Sequence, residues 1–259
     1  MDLTVRYGPE SDQLADVFFP AAAPAPLVLV LHGGSWSVDV DRGYLEPLAR
    51  ALPRHGFAVA NVEYRRPGGG GGWPATFADT GLAVDTLPGL IERTAPGRID
   101  PARLVVLGHS AGGTLALWAA HGPGAPAVVA LAPVAALADA HRRDPGGPVD
   151  RLLGGGPEDV PERYAQSDPA ALGTPPGPVV VFHGELDTAL PAQLSRDYAG
   201  ATGAELVLVP GAGHLDVVVA GGPAWPALVG TLAELSTVEL EHTPVRADGT
   251  SPEDLAPPG

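Results

Sequence analysis

Short apolar runs alternate with longer segments of helical periodicity along most of the chain. The runs are mostly solid blocks of Val, Leu and Ala, which is typical of strands buried on both faces of a parallel sheet. The first two runs are too close in sequence for a helix between them, so an antiparallel pair is expected there. The pattern predicts an α/β fold with an eight-stranded, mostly parallel sheet flanked by helices. The predicted strands are 3–7, 14–19, 27–32, 57–62, 104–109, 128–132, 179–183 and 205–210.

The segments between these runs carry apolar residues at helical spacing. Leu45, Leu48 and Leu52 share one face of a segment that ends before Gly56, and a later segment has a similar stripe that Pro88 is expected to interrupt. Right-handed crossovers would place the turns after the parallel strands along one carboxyl edge of the sheet, where open α/β sheets bind ligands. The predicted helices are 44–55, 77–94, 110–121, 193–201 and 224–235.

Two stretches depart from this alternation. Residues 133–178 separate two predicted core strands and hold short helical patches among Gly and Pro, which predicts a small cap insertion over the sheet edge. Residues 239–259 contain five acidic residues, one Arg and four Pro with little periodicity, which predicts a disordered tail. The expected organisation is one α/β domain over residues 1–238, with its cap, followed by the acidic tail.

Composition narrows the chemistry. The chain of 259 residues has no Cys, and its 15 basic residues are all Arg. These absences exclude disulfides, thiolate nucleophiles, Schiff-base or Walker lysines and Cys-ligated metals. The formal net charge of −15 opposes binding to nucleic acid and to anionic lipid headgroups. We therefore expect a small-molecule substrate, neither nucleic acid nor membrane as a partner, and a monomer or homodimer.

The N-terminal residues indicate where the protein resides. Asp2 stands where a signal peptide would carry positive charge, and the chain runs directly into a predicted strand. The sequence contains no run of about 18 uninterrupted apolar residues. These features predict a cytoplasmic protein.

The strongest local motif is GHSAG at 108–112, a G-x-S-x-G pattern between a predicted strand and a predicted helix. Glycines two positions before and after Ser110 allow a sharp turn that holds the hydroxyl above the sheet edge at a helix N-terminus. A serine after a strand can also serve only as a helix cap. The position of the motif between strand and helix favours a nucleophile.

A second motif, HGGSW at 32–36, ends the predicted strand 27–32. A glycine pair at this position lets backbone N–H groups turn toward a neighbouring reaction centre, where with the N–H of Ala111 they can stabilise an oxyanion. The alternative is a simple Gly-Gly turn.

A serine nucleophile needs a base, and the base needs an orienting carboxylate. His214 stands in a Gly-rich loop after the last predicted strand, and Asp187 lies just beyond the preceding strand. The order Ser, Asp, His along the chain is the order expected for this type of sheet. Glu185 and Asp216 are rivals for the acid, but Glu185 is nearer the strand end and Asp216 is too close to His214 in sequence to brace its ring easily.

These motifs together resemble the α/β-hydrolase superfamily over residues 1–238. HGGSW, EYRR at 63–66, GGWP at 71–74 and GHSAGG at 108–113 are similar to the bacterial esterase/lipase branch that includes kynurenine formamidase-like and feruloyl-esterase-like proteins. The resemblance implies a catalytic triad, an oxyanion hole and no metal or organic cofactor. The implied catalytic residues are Ser110 as nucleophile, His214 as base and Asp187 as orienting acid, with Gly34, Ser35 and Ala111 as oxyanion donors. Ser35 departs from related lipases, which often carry a third Gly there, and from kynurenine formamidases, which often carry an aromatic residue.

The implied activity is hydrolysis of carboxylic esters of small to medium acyl substrates through an acyl-enzyme. One alternative is an arylformamidase that cleaves the amide of N-formylkynurenine with the same triad. A second alternative is a non-catalytic hydrolase-fold binding module. Such modules usually lose a triad member or the oxyanion glycines, whereas every expected position is occupied here.

Loop tryptophans and paired arginines are further candidates. Trp36 and Trp73 lie in loops near the predicted edge and are expected to bind substrate. Arg142 and Arg143 in the cap are candidates for attracting a carboxylate, although paired Arg on a helix usually face solvent.

Three histidines, His32, His109 and His183, end predicted strands and raise the alternative of a three-His metal site. Turn chemistry explains the Gly or Ser that follows each of them, and no HExxH motif is present. No metal is therefore expected.

Overall fold

The computed structural model describes residues 1–122 and 124–237, so the predicted tail at 239–259 lies outside the described residues. Eight strands join in one sheet. The strands are β1 (Leu3–Arg6), β2 (Leu14–Phe18), β3 (Ala25–Leu31), β4 (Ala58–Val62), β5 (Ile99–His109), β6 (Ala127–Leu131), β7 (Val179–Gly184) and β8 (Glu205–Val209). Their order across the sheet is β1-β2-β4-β3-β5-β6-β7-β8.

The strand directions confirm the predicted mostly parallel sheet. β1 pairs antiparallel with β2, and β2 pairs antiparallel with β4, whereas every later pairing is parallel. The solid apolar runs of β4, β6 and β7 are buried at every position, as central strands covered on both faces should be. β5 begins five residues earlier than predicted, because Ala25 and Pro26 pair with Ile99 and Asp100 before a register shift.

Helices cover both faces of the sheet. They are α1 (Glu46–Ala51), α2 (Ala75–Thr94), α3 (Ala111–Ala119), α4 (Leu137–Arg143), α5 (Pro148–Leu153), α6 (Pro161–Ser167), α7 (Pro169–Leu172), α8 (Gln193–Thr202) and α9 (Trp225–Leu235). Short 3₁₀ helices lie at Arg42–Leu45, Leu52–His55 and Asp216–Val218. Side chains of α2, α3 and the cap join one apolar cluster, and those of α1 and α9 join another. Among the described helices, none is both long and apolar enough to cross a membrane.

The expected interruption at Pro88 is wrong, because α2 runs through this residue from Ala75 to Thr94. Proline removes one backbone hydrogen bond inside a helix and normally bends or ends it. Here the neighbouring Val84, Leu87 and Ile91 are buried against the sheet. Their burial holds the helix in place despite the lost bond.

The segment predicted as a cap contains the four helices α4 to α7 between β6 and β7. Its apolar residues, among them Leu137, Val149 and Leu152, belong to the same buried cluster as α2 and α3. The Asp168 carboxylate accepts hydrogen bonds from the N–H of Ala138 in α4 and of Ala170 in α7. The segment is thus tied to the sheet by an apolar underside and within itself by this carboxylate.

Candidate active site

Ser110 stands at the turn between β5 and α3 with a left-handed backbone, φ 53° and ψ −117°. The two glycines of the motif make this turn possible. A Cβ on Gly108 would lie 2.1 Å from the Gly112 carbonyl oxygen, and one on Gly112 would lie 2.2 Å from the Leu31 carbonyl oxygen. A serine in this conformation costs on the order of 1–3 kcal/mol, a cost borne by the surrounding fold.

His214 and Asp187 are joined by a hydrogen bond of 2.7 Å between Nδ1 and Oδ2. The other oxygen of Asp187, Oδ1, accepts from the backbone N–H groups of Ala189 and Leu190, both at 2.8 Å. The carboxylate is therefore held from one side by the backbone and presents its second oxygen to the imidazole.

The rival acids have other positions. The Asp216 carboxylate accepts from the N–H of Gly213 at 2.7 Å, and Glu185 is exposed. Asp187 is thus the carboxylate that the fold brings to His214.

His183 is a second imidazole on the same carboxylate. Its Nε2 lies 2.9 Å from the Leu190 carbonyl oxygen and 3.2 Å from Asp187 Oδ2. A carbonyl only accepts, so Nε2 carries the proton and Nδ1 accepts from the Ser195 hydroxyl at 2.7 Å. Burial lowers the pKa of His183, which keeps the ring neutral and this tautomer fixed.

Ser110 and His214 line the same cavity. Among the described residues, none forms a hydrogen bond to Ser110 Oγ. Catalytic hydrogen bonds of this kind are often long without substrate and tighten when it binds. The shared cavity and the Asp187–His214 bond leave His214 Nε2 as the imidazole nitrogen available to Ser110.

His109, the residue before Ser110, supports the His214 loop. Its Nε2 lies 3.0 Å from the backbone oxygen of His214, so Nε2 donates, and its Nδ1 accepts from the Tyr44 hydroxyl at 3.1 Å. Burial, and next the charge of His214, lower the pKa of His109 to about 3. His109 is therefore a neutral link between the turn that carries Ser110 and the loop that carries His214.

The predicted oxyanion donors lie around the same turn. The N–H groups of Gly34, Ser35 and Ala111 find no acceptor among the residues of the described chain. Gly34 and Ser35 both have positive φ, 100° and 53°, and line the cavity, and Ala111 is the first residue of α3. A Cβ on Gly33 would lie 3.2 Å from Ser110 Cβ, so the glycine lets this loop approach Ser110 closely.

A buried ion cluster holds the start of the loop that carries Gly34 and Ser35. His32 Nδ1 lies 2.8 Å from the Gly33 carbonyl oxygen, and its Nε2 lies 3.1 Å from Glu63 Oε1. The ring thus bridges the Gly33 carbonyl and the Glu63 carboxylate. The bond to the Gly33 carbonyl fixes the peptide plane whose N–H belongs to Gly34.

Glu63 has further partners besides His32. It also accepts from Arg66 Nη1 at 2.9 Å and from the backbone N–H of Arg42 at 2.9 Å. Burial alone would raise the pKa of Glu63, but the hydrogen bond and charge of His32, the Arg42 N–H and the Arg66 charge outweigh burial and lower it. The carboxylate therefore stays ionised in the protein interior.

The cavity beside Ser110 has a volume of about 410 Å³. Its lining is mostly apolar and includes two charged, solvent-exposed cap residues, Arg143 and Asp144. The remaining lining residues are Gly34, Ser35, Trp36, Tyr44, Ser110, Val134, Ala140, Pro148, Val149, Ala189, Leu190, Pro191, Leu194 and His214.

The two loop tryptophans have different surroundings. Trp36 is buried and lines the cavity, in agreement with its predicted position. Trp73 is not among the lining residues, and its ring packs edge-on against Phe77, which contacts Trp118 in the same way. Trp73 packs on the apolar core because Phe77, on the first turn of α2, holds its ring there.

The histidines considered for a metal site each have other partners. His32, His109 and His183 are hydrogen-bonded to Glu63, Tyr44 and Ser195, respectively. Within residues 1–122 and 124–237, His, Asp and Glu side chains form no group of three or more suited to a metal ion.

Sequence reasoning missed Tyr44, Asp144 and the role of Glu63. Glu63 directly follows the apolar strand β4. A charged residue at the carboxyl end of a buried strand is a sequence feature that could have indicated a role in the site. Tyr44 carried no such signal, because it is one aromatic residue on a predicted helix and meets His109 only in the folded sheet.

Comparison with known proteins places the chain in a family. The BD-FAE family model matches residues 15–201. A protein of Mycobacterium tuberculosis (strain CDC 1551 / Oshkosh), "Uncharacterized protein MT2364", is 31% identical over 209 residues, which cover 79% of this chain and 69% of the relative.

Solved structures of esterases share the fold. A truncated carbohydrate esterase from gut microbiota superimposes with a TM-score of 0.77 at 19% identity, covering 92% of this chain and 97% of that one. The thermophilic esterase Est2 of Thermogutta terrifontis, bound to propionate, gives a TM-score of 0.67 at 21% identity over 93% of this chain and 96% of its own. The predicted α/β-hydrolase fold is confirmed, and the expectation of a carboxylic ester hydrolase agrees with these relatives. The chain belongs to the BD-FAE family and has the α/β-hydrolase fold.

Proposed function

We propose that this protein hydrolyses carboxylic esters of small to medium acyl substrates, with Ser110 as nucleophile, His214 as base and Asp187 as orienting acid. The observation that carries the proposal is the 2.7 Å bond between Asp187 and His214 in the loop that lines the cavity with Ser110. The unpaired N–H groups of Gly34, Ser35 and Ala111 support it, because they supply the donors that acyl transfer requires.

Each group has one role in the proposed reaction. Asp187 keeps the proton of His214 on Nδ1, so that Nε2 accepts the proton of Ser110 as its oxygen attacks the ester carbonyl. The backbone donors stabilise the tetrahedral oxyanion, and His214 then protonates the leaving alcohol. Water activated by His214 releases the acid from Ser110 in the second half of the reaction.

The substitution Ser110→Ala tests this proposal. We expect kcat for p-nitrophenyl acetate to fall by a factor of about 10⁴ or more, because removing the nucleophile of such a triad leaves only binding and oxyanion stabilisation. Ser11→Ala is the control, since the Ser11 hydroxyl contacts only Asp12 in the described chain. A fluorophosphonate probe should label the wild type and not Ser110→Ala. Near-normal activity of Ser110→Ala would contradict the assignment, and an unlabelled, inactive wild type would favour a binding module.

A second candidate function is hydrolysis of an aryl formamide by the same residues. The observation that favours it is the aromatic wall of Trp36 and Tyr44 in the cavity, which suits an aromatic leaving group. Parallel measurements of kcat/KM for p-nitrophenyl esters and N-formylkynurenine decide between the two. A larger kcat/KM for the formamide would replace the ester as the proposed substrate.

A further inference from the structure

Two charged side chains at the end of α4, Arg143 and Asp144, line the cavity without partners. Neither side chain forms a hydrogen bond or ion pair with another residue of the described chain. The neighbouring Arg142 differs, because it pairs with Asp139 on the same helix and is not a lining residue. The cap therefore presents one free positive and one free negative group to the bound molecule.

The cavity that these charges share with Ser110 is otherwise mostly apolar. Val134, Ala140 and Val149 of the cap face this space together with Leu190 and Leu194. A ligand that reaches from Ser110 to the cap charges therefore has an apolar body and a polar end. The cavity of about 410 Å³ is large enough for such a molecule.

The charges of the site and of the whole protein restrict that polar end. A purely anionic group at Arg143 would be repelled by the adjacent Asp144, and a purely cationic group at Asp144 would be repelled by Arg143. The formal net charge of −15 also disfavours the approach of an anion. A group with both charges satisfies both side chains and feels no net repulsion from the protein.

We infer that Arg143 and Asp144 bind the zwitterionic end of an amino-acid compound, with Arg143 on its carboxylate and Asp144 on its ammonium group. The substrates are then esters or amides whose apolar body carries an α-amino-acid end. This inference rests on the proposed acyl hydrolysis at Ser110 and names the substrate class of that reaction.

A series of four aryl acetates tests the inference, because all four transfer the same acetyl group and release a similar phenol. The para substituent is ethyl in the neutral member, 2-aminoethyl in the cation and 2-carboxyethyl in the anion. In the zwitterion, O-acetyltyrosine, it is 2-amino-2-carboxyethyl. We expect kcat/KM for O-acetyltyrosine to exceed that for 4-ethylphenyl acetate by about tenfold at low salt, from two solvent-exposed charge contacts. The preference should shrink as salt is added.

Three substitutions separate the two charges. Arg143→Gln should reduce the preference for the zwitterion and favour the cation over the anion, whereas Asp144→Asn should favour the anion. Arg142→Gln is the matched control, because it removes the same charge one residue away and outside the cavity lining. It should leave the order of the four substrates unchanged.

The outcomes distinguish the substrate class from the activity. Equal kcat/KM for all four acetates in the wild type, or an equal effect of Arg142→Gln and Arg143→Gln, would overturn the zwitterion site and leave ester hydrolysis standing. Failure to hydrolyse any of the four, together with no fluorophosphonate labelling of Ser110, would overturn both. Opposite shifts in Arg143→Gln and Asp144→Asn would establish the site.

Discussion

The substitution Asp187→Asn tests how the fold orients His214. An amide has one oxygen and one NH₂ group, and the backbone decides which way it lies. Oδ1 of Asp187 accepts two N–H groups, from Ala189 and Leu190, so the amide oxygen must take that position. The opposite orientation would leave these two part-buried donors facing another donor, at about 1 kcal/mol each.

The NH₂ group of the variant then faces His214 Nδ1 in place of Oδ2. The imidazole must accept there, so its proton moves to Nε2, and Nε2 no longer removes a proton from Ser110. For the same tautomer change in a serine protease triad, kcat falls about 10⁴-fold. That factor corresponds to about 5.4 kcal/mol of transition-state stabilisation. The NH₂ group also meets the Nε2–H of His183, and we expect a loss of stability of about 1 kcal/mol from the weakened hydrogen bond.

The assay is kcat with p-nitrophenyl acetate, combined with ¹⁵N NMR of the His214 ring to identify its tautomer. Asp216→Asn is the matched control in the same region, since Asp216 binds the N–H of Gly213 through an oxygen that Asn also supplies. We expect the control to keep activity close to that of the wild type. If Asp187→Asn stays within tenfold of the wild type, or if the control loses as much, the orientation deduced for Asp187 is wrong.

Three further predictions concern the framework around the site. The His109 ring should not titrate between pH 8 and 4.5 by NMR, because burial and the charge of His214 lower its pKa to about 3. Since this pKa lies below the unfolded value, the contribution of His109 to stability is present above about pH 6.5 and is lost toward pH 3. A titration midpoint near pH 6.5 would show that the ring is not the neutral link described above. Gly112→Ala should destabilise the protein by about 3 kcal/mol in urea unfolding, because the added Cβ meets backbone oxygens. Gly230→Ala should stabilise it by about 0.5–1 kcal/mol, because a Cβ there enters open space on the exposed face of α9. Equal effects of the two substitutions would contradict this reasoning. Glu63→Gln should lower the free energy of unfolding by about 3 kcal/mol at pH 7, because it breaks a buried ion pair. The difference in unfolding free energy from the wild type should narrow below about pH 4.3, because the pKa of Glu63 is lowered in the folded protein and its contribution is lost as pH falls. A constant difference from pH 7 to 3 would exclude an ionised Glu63.

The strands were predictable because each is a local pattern of apolar residues. All eight predicted runs correspond to strands, and the parallel ones follow the expected antiparallel start. The continuity of α2 through Pro88 was not predictable from local preference, because packing of its buried stripe against the sheet decides it.

The arrangement of the site was predictable only where residues follow strands directly. Ser110, Asp187 and His214 each lie just after a strand, and parallel strands bring such positions to one edge. Tyr44 and Asp144 lie on elements whose position depends on how the helices and the cap pack. The residues next to Tyr44 and Asp144 in sequence do not indicate that these two side chains line the cavity.

The left-handed backbone of Ser110 also has an evolutionary meaning. Glycine adopts this conformation without cost, so a chain released from selection for catalysis would gain stability by exchanging the serine for glycine. Mutational drift and selection for stability then act in the same direction, and only selection for the hydroxyl opposes them. We therefore expect glycine at this position in any lineage of the family that no longer needs the hydroxyl.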